Sequence, residues 1–228
     1  MTTTPATQQV LVPPPPPNPT PLKEIHWFRN SAEMRGIYLE VYHLAAEQLD
    51  RLASENAPGT WAVILDADET AIDNSTFEKE LGTGTYTEAA WKGWVSRKAA
   101  PALPGVVEFT QLVHRLGGTV VIVTNRDNAY CDATRENIKS DKIDADLVLC
   151  RTTTGDKNPR FETVANGTAS ASLGPRKVLM WFGDNIQDFP KLTQSLRDGD
   201  DAGYSNFGKT WFLLPNPMYG SWEKVPYR

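Results

Sequence analysis

The sequence predicts an α/β fold, a Rossmann-like doubly wound parallel sheet with a long N-terminal helix and a small helical insertion. First, short apolar runs alternate along the chain with segments of helical periodicity, which is typical of parallel sheets covered by helices. Second, the run 61–65 contains no charged residue, as expected of a strand buried on both faces. Third, this run breaks off into Asp66 and Asp68, and ligands of such sheets bind where strands end.

Composition and charge are those of an ordinary globular protein, and they limit the classes of partner that it can bind. At 228 residues, 40% hydrophobic and 22% charged, the chain is long enough for one domain with a sizeable core. The net charge of −5 argues against a nucleic-acid polymer as partner, whereas a small anionic substrate is compatible with a local cation. No apolar run reaches the roughly 18 residues of a membrane-spanning helix, so we expect none. The sequence leaves a homodimer open.

The first 24 residues differ in composition from the rest. They are rich in Thr, Gln and Pro, with a proline run from Pro13 to Pro17, and we expect a flexible tether because such a segment cannot pack a core. The folded domain is predicted to span residues 25–228. The chain shows neither a signal peptide nor a lipobox cysteine, which fits a cytoplasmic protein or one whose export signal has been removed.

A long amphipathic helix is predicted to open the domain. Asn30 can cap it, and Glu33 three residues later completes a capping box. Its apolar stripe is most simply core packing, and consists of Met34, Ile37, Tyr38, Val41, Leu44, Ala45, Leu49 and Leu52.

Residues 75–103 are predicted to form a helical insertion between the first strand and the next element of the sheet. An insertion at this point is well placed to cover the crevice at the strand ends. Trp91 and Trp94 lie on one helical face and are either core anchors or a stacking surface for an aromatic part of a substrate. Their spacing favours the core.

The remaining elements alternate as the fold requires. A helix is predicted over 106–116 and another beginning near Asp127, and strands over 120–123, 147–149, 178–182 and 210–214. The second strand runs into Thr124 and Asn125, and the fourth into Gly183, Asp184 and Asp188. Lys157 lies in a polar loop after the third strand.

These strand ends predict a site for phosphoryl transfer. Asp66 and Asp68 repel each other, and a hard divalent cation relieves that repulsion. Thr124 and Asn125 suit phosphate oxygens, although an ordinary helix cap explains them equally well. Lys157 alone is weak evidence, because an isolated loop lysine is usually solvated. The combination of residues, rather than any one motif, carries the prediction.

No second site is apparent from the cysteines and histidines. Cys131 and Cys150 lack the spacing of a zinc site, and whether they pair is left open. The three histidines show no metal-ligand spacing and lie beside no serine or cysteine elbow, so a triad hydrolase is not expected.

The order of these motifs resembles the haloacid dehalogenase superfamily, and within it the class C bacterial acid phosphatases of the outer-membrane lipoprotein type with 5′-nucleotidase activity. The likeness covers roughly residues 25–223. Ala67 and Ala71 stand where the family usually has larger apolar residues, and Thr124 where Ser is common. The motifs that carry it are Asn30–Glu33, Asp66–Ser75, Trp91–Val95, Leu103–Phe109, Thr124–Arg126, Gly183–Phe189 and Leu214–Gly220.

The resemblance implies a haloacid dehalogenase-like domain and a set of catalytic roles. Asp66 would be the nucleophile that forms an aspartyl-phosphate, and Asp68 the general acid and then the base. Thr124 and Asn125 would hold phosphoryl oxygens, and Lys157 would stabilise the nucleophile and the charge of the transition state.

The resemblance also implies Mg²⁺ as cofactor. The Asp66 carboxylate, the Asp68 backbone carbonyl and Asp184 would hold it, and Asp188 would order the coordination shell through water.

The implied substrates are phosphomonoesters, with nucleoside 5′-monophosphates favoured. An aromatic clamp for the base would come from Phe77, Trp91, Trp94 and Tyr219. The implied location is periplasmic or outer-membrane-associated. Two alternatives are a non-catalytic binding or storage protein of the same fold, and a sugar-phosphate phosphatase or phosphotransferase.

Overall fold

The structure, a computed structural model, describes residues 22–227. The tether predicted for residues 1–24 therefore lies almost entirely outside the described residues, and its last two positions, Lys23 and Glu24, already belong to a helix. Within 22–227, no helix combines the length and apolar composition needed to cross a bilayer.

A five-stranded parallel sheet forms the centre of the molecule, in the order β3-β2-β1-β4-β5. This confirms the predicted α/β fold. The chain passes from β1 to β2 and β3 on one side and then crosses back to β4 and β5, so β1 and β4 meet where the winding reverses. The strands are β1 (Trp61–Leu65), β2 (Thr119–Asp127), β3 (Leu147–Arg151), β4 (Lys177–Gly183) and β5 (Trp211–Leu213).

Helices cover both faces of this sheet. The alternate residues of each strand point to opposite faces, so Val63 and Leu65 join one core and Ala62 and Ile64 the other. The first face packs mainly against α2 and α5, and the second against α7. The helices are α1 (Lys23–Asn30), α2 (Ala32–Ser54), α3 (Ser75–Leu81), α4 (Glu88–Arg97), α5 (Val106–Arg115), α6 (Cys131–Ser140) and α7 (Asn158–Asn166).

The start of the long helix differs from the prediction. Asn30 ends α1 instead of capping α2, and Ser31 is the cap, since its Oγ accepts the backbone N–H of Met34. The buried stripe is also rotated, because Tyr42 is fully buried. Ile37 and Leu44, assigned to the stripe, are 36% and 38% exposed.

A disulfide joins Cys131 at the start of α6 to Cys150 near the end of β3, which answers the question that the sequence left open. The two Cα atoms are 5.9 Å apart. The bond ties α6 to the strand that leads into the Lys157 loop, so it braces one side of the carboxyl edge of the sheet.

Replacing both cysteines by Ala is expected to lower the free energy of unfolding by about 3 kcal/mol, because the crosslink closes a loop of 19 residues in the unfolded chain. Urea denaturation measures the change. Wild-type protein treated with dithiothreitol should match the double variant, and an unfolding free energy equal to that of the oxidised wild type would show that the bond contributes no stability.

A second stabilising contact lies at the edge of the sheet where the strands begin. Here His114 of α5 bridges the carboxylates of Asp144 and Asp146. Its Nδ1 lies 2.6 Å from Asp144 Oδ2 and its Nε2 2.8 Å from Asp146 Oδ2. Burial acts to lower the pKa of His114, but the hydrogen bonds to Asp146 and Asp144 outweigh it and the pKa is raised. Folding therefore favours the imidazolium.

The contribution of His114 to stability should depend on pH. It should be complete below the unfolded pKa of about 6.5 and disappear as the pH rises through the higher folded pKa. His114→Gln should thus lose more unfolding free energy at pH of about 5.5 than at pH of about 9. Urea denaturation at both values tests this, with the exposed His43→Gln as control; an equal loss at both values would contradict the prediction.

Candidate active site

The predicted site residues converge at the carboxyl edge of the sheet, where β1 and β4 lie side by side. Asp66 directly follows β1 and Asp184 directly follows β4. A cavity of about 590 Å³ opens here, and its walls include residues from β2, α3, α4 and the segments that follow β1, β4 and β5. The winding of the sheet reverses at this point, which is where doubly wound folds bind their ligands.

Three carboxylates meet one lysine at the base of the cavity. Oxygen atoms of Asp66, Asp184 and Asp188 all lie within 4.8 Å of one another. The Nζ of Lys157 lies 2.5 Å from Asp66 Oδ1 and 2.6 Å from Asp188 Oδ1. Lys157 is 2% exposed, so the sequence-based expectation for an isolated loop lysine does not hold. Its backbone precedes α7, whose start brings the side chain under the sheet edge.

Burial and crowding perturb these groups strongly. Burial raises the pKa of Asp66 to about 7, with Asp188 and Asp68 adding to the effect and Lys157 opposing it. Burial, Asp188 and Asp66 raise the pKa of Asp184 well above its usual range. Burial acts to lower the pKa of Lys157, but Asp188 and Asp66 outweigh it and the pKa is raised. Asp66 and Asp184 are therefore harder to ionise than free carboxyl groups, whereas Lys157 stays positively charged.

The donor set of this cluster fits a hard divalent cation. It consists of carboxylate oxygens without cysteine or histidine, the ligands that Mg²⁺ prefers. Asp184 is oriented by Asn216, whose Nδ2 donates to its Oδ2 at 2.8 Å. Asp188 accepts the backbone N–H of Asn185 at 2.9 Å. Both carboxylates are thus fixed from behind, as metal ligands usually are.

A glycine makes room for the third carboxylate. A Cβ atom on Gly183 would lie 2.2 Å from Asp188 Cβ and 2.5 Å from its Oδ2, both closer than atoms can approach. Glycine is therefore required at position 183 of this motif for steric reasons. Gly183 ends β4 without a side chain so that Asp188 can turn back over the strand end.

Asp68 points away from this cluster. Its Oδ1 accepts hydrogen bonds from Asn74 Nδ2 at 2.8 Å and Arg126 Nε at 2.9 Å, and forms an ion pair with Arg126 Nη2 at 2.8 Å. The carboxylate of Asp68 is therefore not a member of the acidic cluster, and only its backbone carbonyl is left as the metal ligand implied by the resemblance. It lines the cavity beside Asp66, as an acid for a leaving group requires.

The loop after β1 is held by α2, a link that the sequence analysis missed. The hydroxyl of Tyr38 donates to the carbonyl of Glu69, and that of Tyr42 to the carbonyl of Thr70 at 2.9 Å. Glu69 has a φ of 51° and is fully buried, and its Oε1 accepts the backbone N–H of Asn74 at 2.6 Å. Tyr38 had been assigned to core packing; the signal available was that the tyrosines are four residues apart on one helical face.

The strand end of β2 places its polar residues on different sides. Asn125 is exposed and lines the cavity, and its Nδ2 donates to the carbonyl of Gly155 at 2.9 Å. Thr124 is fully buried and does not line the cavity; its Oγ1 accepts the backbone N–H of Arg126. The helix predicted near Asp127 is confirmed, because β2 ends at Asp127, which caps a helical turn over Asn128–Tyr130 that leads directly into α6.

The aromatic residues of the insertion divide into two groups. Phe77 and Trp91 line the cavity, with ring centroids 5.1 Å apart, and Tyr219 lines it from the segment after β5. Trp94 does not belong to the clamp assigned to it: it is 2% exposed, and its Nε1 donates to Asn74 Oδ1 at 2.8 Å. Tyr86, which the sequence analysis missed, lines the cavity instead.

Comparison with known proteins gives consistent matches. The family model described as HAD superfamily, subfamily IIIB (acid phosphatase), matches residues 17–222. The class C acid phosphatase from Bacillus anthracis is 27% identical, with a TM-score of 0.79 over 88% of this chain and 85% of that one. Its structure with tungstate bound gives 0.78 over the same shares. Acid phosphatase 1 of Solanum lycopersicum is 24% identical over 159 residues, 68% of this chain. The chain spans 57% of the length of that relative.

Proposed function

The chain belongs to the HAD superfamily, subfamily IIIB (acid phosphatase), and from this premise we propose that it is a Mg²⁺-dependent phosphatase that hydrolyses phosphomonoesters. The observation that carries the proposal is the buried contact of Lys157 Nζ with Asp66 Oδ1, 2.5 Å long, at the point where β1 and β4 meet. A carboxylate at the sheet edge beside a buried cation is suited to attack a phosphoryl group, because the cation offsets the charge of both reactants.

In the first half-reaction, an Asp66 oxygen attacks phosphorus in line with the ester bond. An aspartyl-phosphate forms, and the bond from phosphorus to the ester oxygen breaks. Asp68 gives its proton to that oxygen, so the product leaves as a neutral alcohol. Lys157 and the amide of Asn125 stabilise the phosphoryl oxygens, with Thr124 supporting the turn that carries Asn125.

In the second half-reaction, Asp68 acts as the base. It takes a proton from a water molecule, which attacks phosphorus and releases phosphate from Asp66. Asp68 is protonated again at the end, as the next cycle needs.

Mg²⁺ would be held by the carboxylates of Asp66 and Asp184 and the backbone carbonyl of Asp68, with Asp188 acting through water. When bound, the cation supplies positive charge that offsets the crowded carboxylates and the incoming phosphate.

Nucleoside 5′-monophosphates are the proposed preferred substrates. The cavity has a volume of about 590 Å³, enough for a nucleotide, and its lining includes the aromatic residues Phe77, Tyr86, Trp91 and Tyr219. Aromatic faces bind nucleobases by stacking.

Ala substitution of Phe77, Trp91 or Tyr219 should lower kcat/KM for AMP relative to that for p-nitrophenyl phosphate by about tenfold each, because base stacking contributes roughly 1–3 kcal/mol. Parallel assays of the two substrates measure the ratio. Tyr204→Ala, an exposed aromatic outside the cavity, is the matched control. An unchanged ratio in all three variants would remove the clamp from the proposal.

The function itself is tested by phosphate release from a panel of AMP, p-nitrophenyl phosphate and sugar phosphates, with Mg²⁺ and with EDTA. We expect release that requires Mg²⁺ and is fastest with AMP. Faster release from sugar phosphates would favour the sugar-phosphate phosphatase, and binding of phosphate without any release would favour the binding protein.

We also propose that the protein works in an oxidising compartment such as the periplasm. The Cys131–Cys150 disulfide supports this, since such bonds are rare in a reducing cytosol. A homodimer stays a prediction.

A further inference from the structure

Arg126 is a buried cation that the reaction scheme above does not use. It is 2% exposed, and its guanidinium lies at the wall of the cavity between β2 and the insertion. Its Nε donates to Asp68 Oδ1 at 2.9 Å, and its Nη2 forms an ion pair with the same oxygen at 2.8 Å. Nη2 also donates to Asn74 Oδ1 at 2.9 Å, and Nη1 to Thr134 Oγ1 at 3.4 Å.

Because of these contacts, the two carboxylate oxygens of Asp68 differ in their hydrogen bonding. Oδ1 accepts two hydrogen bonds, one from Arg126 Nε and one from Asn74 Nδ2, and also forms an ion pair with Arg126 Nη2, so both of its lone pairs are used. Within residues 22–227, no hydrogen bond reaches Oδ2. Only Oδ2 can therefore carry the proton that is exchanged with substrate.

The same network connects Asp68 to the insertion. Asn74 Oδ1 accepts both Arg126 Nη2 and the indole N–H of Trp94, the latter at 2.8 Å. The Arg126 guanidinium also lies 5.3 Å from the centre of the Trp91 ring. α4, which carries both tryptophans, is thus linked through Arg126 and Asn74 to the acid.

We infer that Arg126 is a positioning residue for Asp68: it holds Oδ1, and so keeps Oδ2 directed toward the leaving-group oxygen. The inference rests on the proposed function, because it gives Asp68 the role of acid. A direct role in binding phosphate is disfavoured, since three of the five guanidinium N–H groups already donate to protein acceptors and the charge is already paired with Asp68.

The inference predicts a dependence on the leaving group. In the first half-reaction the proton moves from Asp68 Oδ2 to the ester oxygen as its bond to phosphorus breaks. A weakly basic leaving group such as p-nitrophenolate departs with little help from an acid, whereas a more basic one such as phenolate needs the proton. A misdirected Asp68 should therefore slow phenyl phosphate more than p-nitrophenyl phosphate.

The experiment measures kcat/KM for these two substrates with the wild type, Arg126→Met and Arg126→Lys. Both substrates carry one phenyl ring, so the contribution of ring stacking to kcat/KM cancels in the ratio of the two substrates. Both are assayed on one preparation, so the fraction of folded enzyme cancels as well. Arg126→Met should lower the phenyl to p-nitrophenyl ratio by about tenfold. Arg126→Lys keeps the charge but not the planar fork, and should fall in between. Arg135→Met, which removes an exposed ion pair on α6, is the control and should leave the ratio unchanged.

A double substitution separates positioning from a structural role. In an Asp68→Asn background the acid is already absent, so adding Arg126→Met should not change the ratio further. A ratio in Arg126→Met within twofold of wild type, or a full further drop in the Asp68→Asn background, would overturn the inference while leaving the proposed function intact. A wild type that releases phosphate from neither substrate would instead overturn the proposed function, and the inference with it.

Discussion

Asp66→Asn is expected to lower kcat/KM for p-nitrophenyl phosphate by roughly 10⁴-fold or more, because an amide cannot form the acyl-phosphate and the reaction has no second nucleophile at the same position. The substitution keeps the size of the side chain in a buried position, so the effect belongs to the chemistry and not to packing. Steady-state phosphate release at saturating Mg²⁺ measures it.

Asp50→Asn on the exposed side of α2 is the matched control for this change and should retain wild-type activity. Thermal unfolding should show both variants folded. If folded Asp66→Asn kept even a tenth of the wild-type rate, Asp66 would not be the nucleophile.

Lys157→Met should show the second large effect, on both stability and rate. Its ammonium is the cation that contacts Asp66 and Asp188, so its removal leaves these two buried carboxylates and the half-buried one of Asp184 without a compensating charge. Breaking one side of a buried ion pair costs roughly 3–5 kcal/mol. Loss of a positive charge on the transferring phosphoryl group should also lower kcat by roughly 10²- to 10³-fold.

The loss of unfolding free energy in Lys157→Met should depend on pH and on Mg²⁺. Without Mg²⁺ it should be larger at pH of about 8, above the pKa of about 7 that Asp66 has in the wild type, than at pH of about 5. Mg²⁺ should then raise the melting temperature of Lys157→Met more than that of wild type, since the cation supplies part of the missing charge. Lys191→Met, at an exposed lysine, controls for the loss of one charge. A Lys157→Met variant as stable as wild type at the higher pH would contradict the electrostatic account.

The sheet could be predicted because its signals are local. Apolar runs gave all five strands within a few residues, and the acids that follow β1 and β4 gave the position of the site, since parallel strands bring their carboxyl ends to one edge. α1 and α7 were missed. Each is shorter than a typical helix, and α7 begins inside the segment that was predicted to be the polar loop around Lys157.

The supporting contacts could not be predicted, because they join residues distant in sequence. Arg126 meets Asp68 across 58 positions, and Tyr38 meets Glu69 across 31. No periodicity encodes such a pair. Trp94 shows the converse: its spacing favoured the core, while the family resemblance made it a clamp residue, and the local pattern was the better guide.

If the reaction forms an aspartyl-phosphate on Asp66, acid quenching during turnover should trap the phosphoryl group on that residue. Protein mixed with p-nitrophenyl phosphate and Mg²⁺ is quenched within one turnover, digested, and analysed by mass spectrometry. We expect one phosphoryl group on the peptide that contains Asp66, and none on the same peptide of Asp66→Asn. Turnover with no phosphorylated peptide, or with the group on another residue, would contradict it.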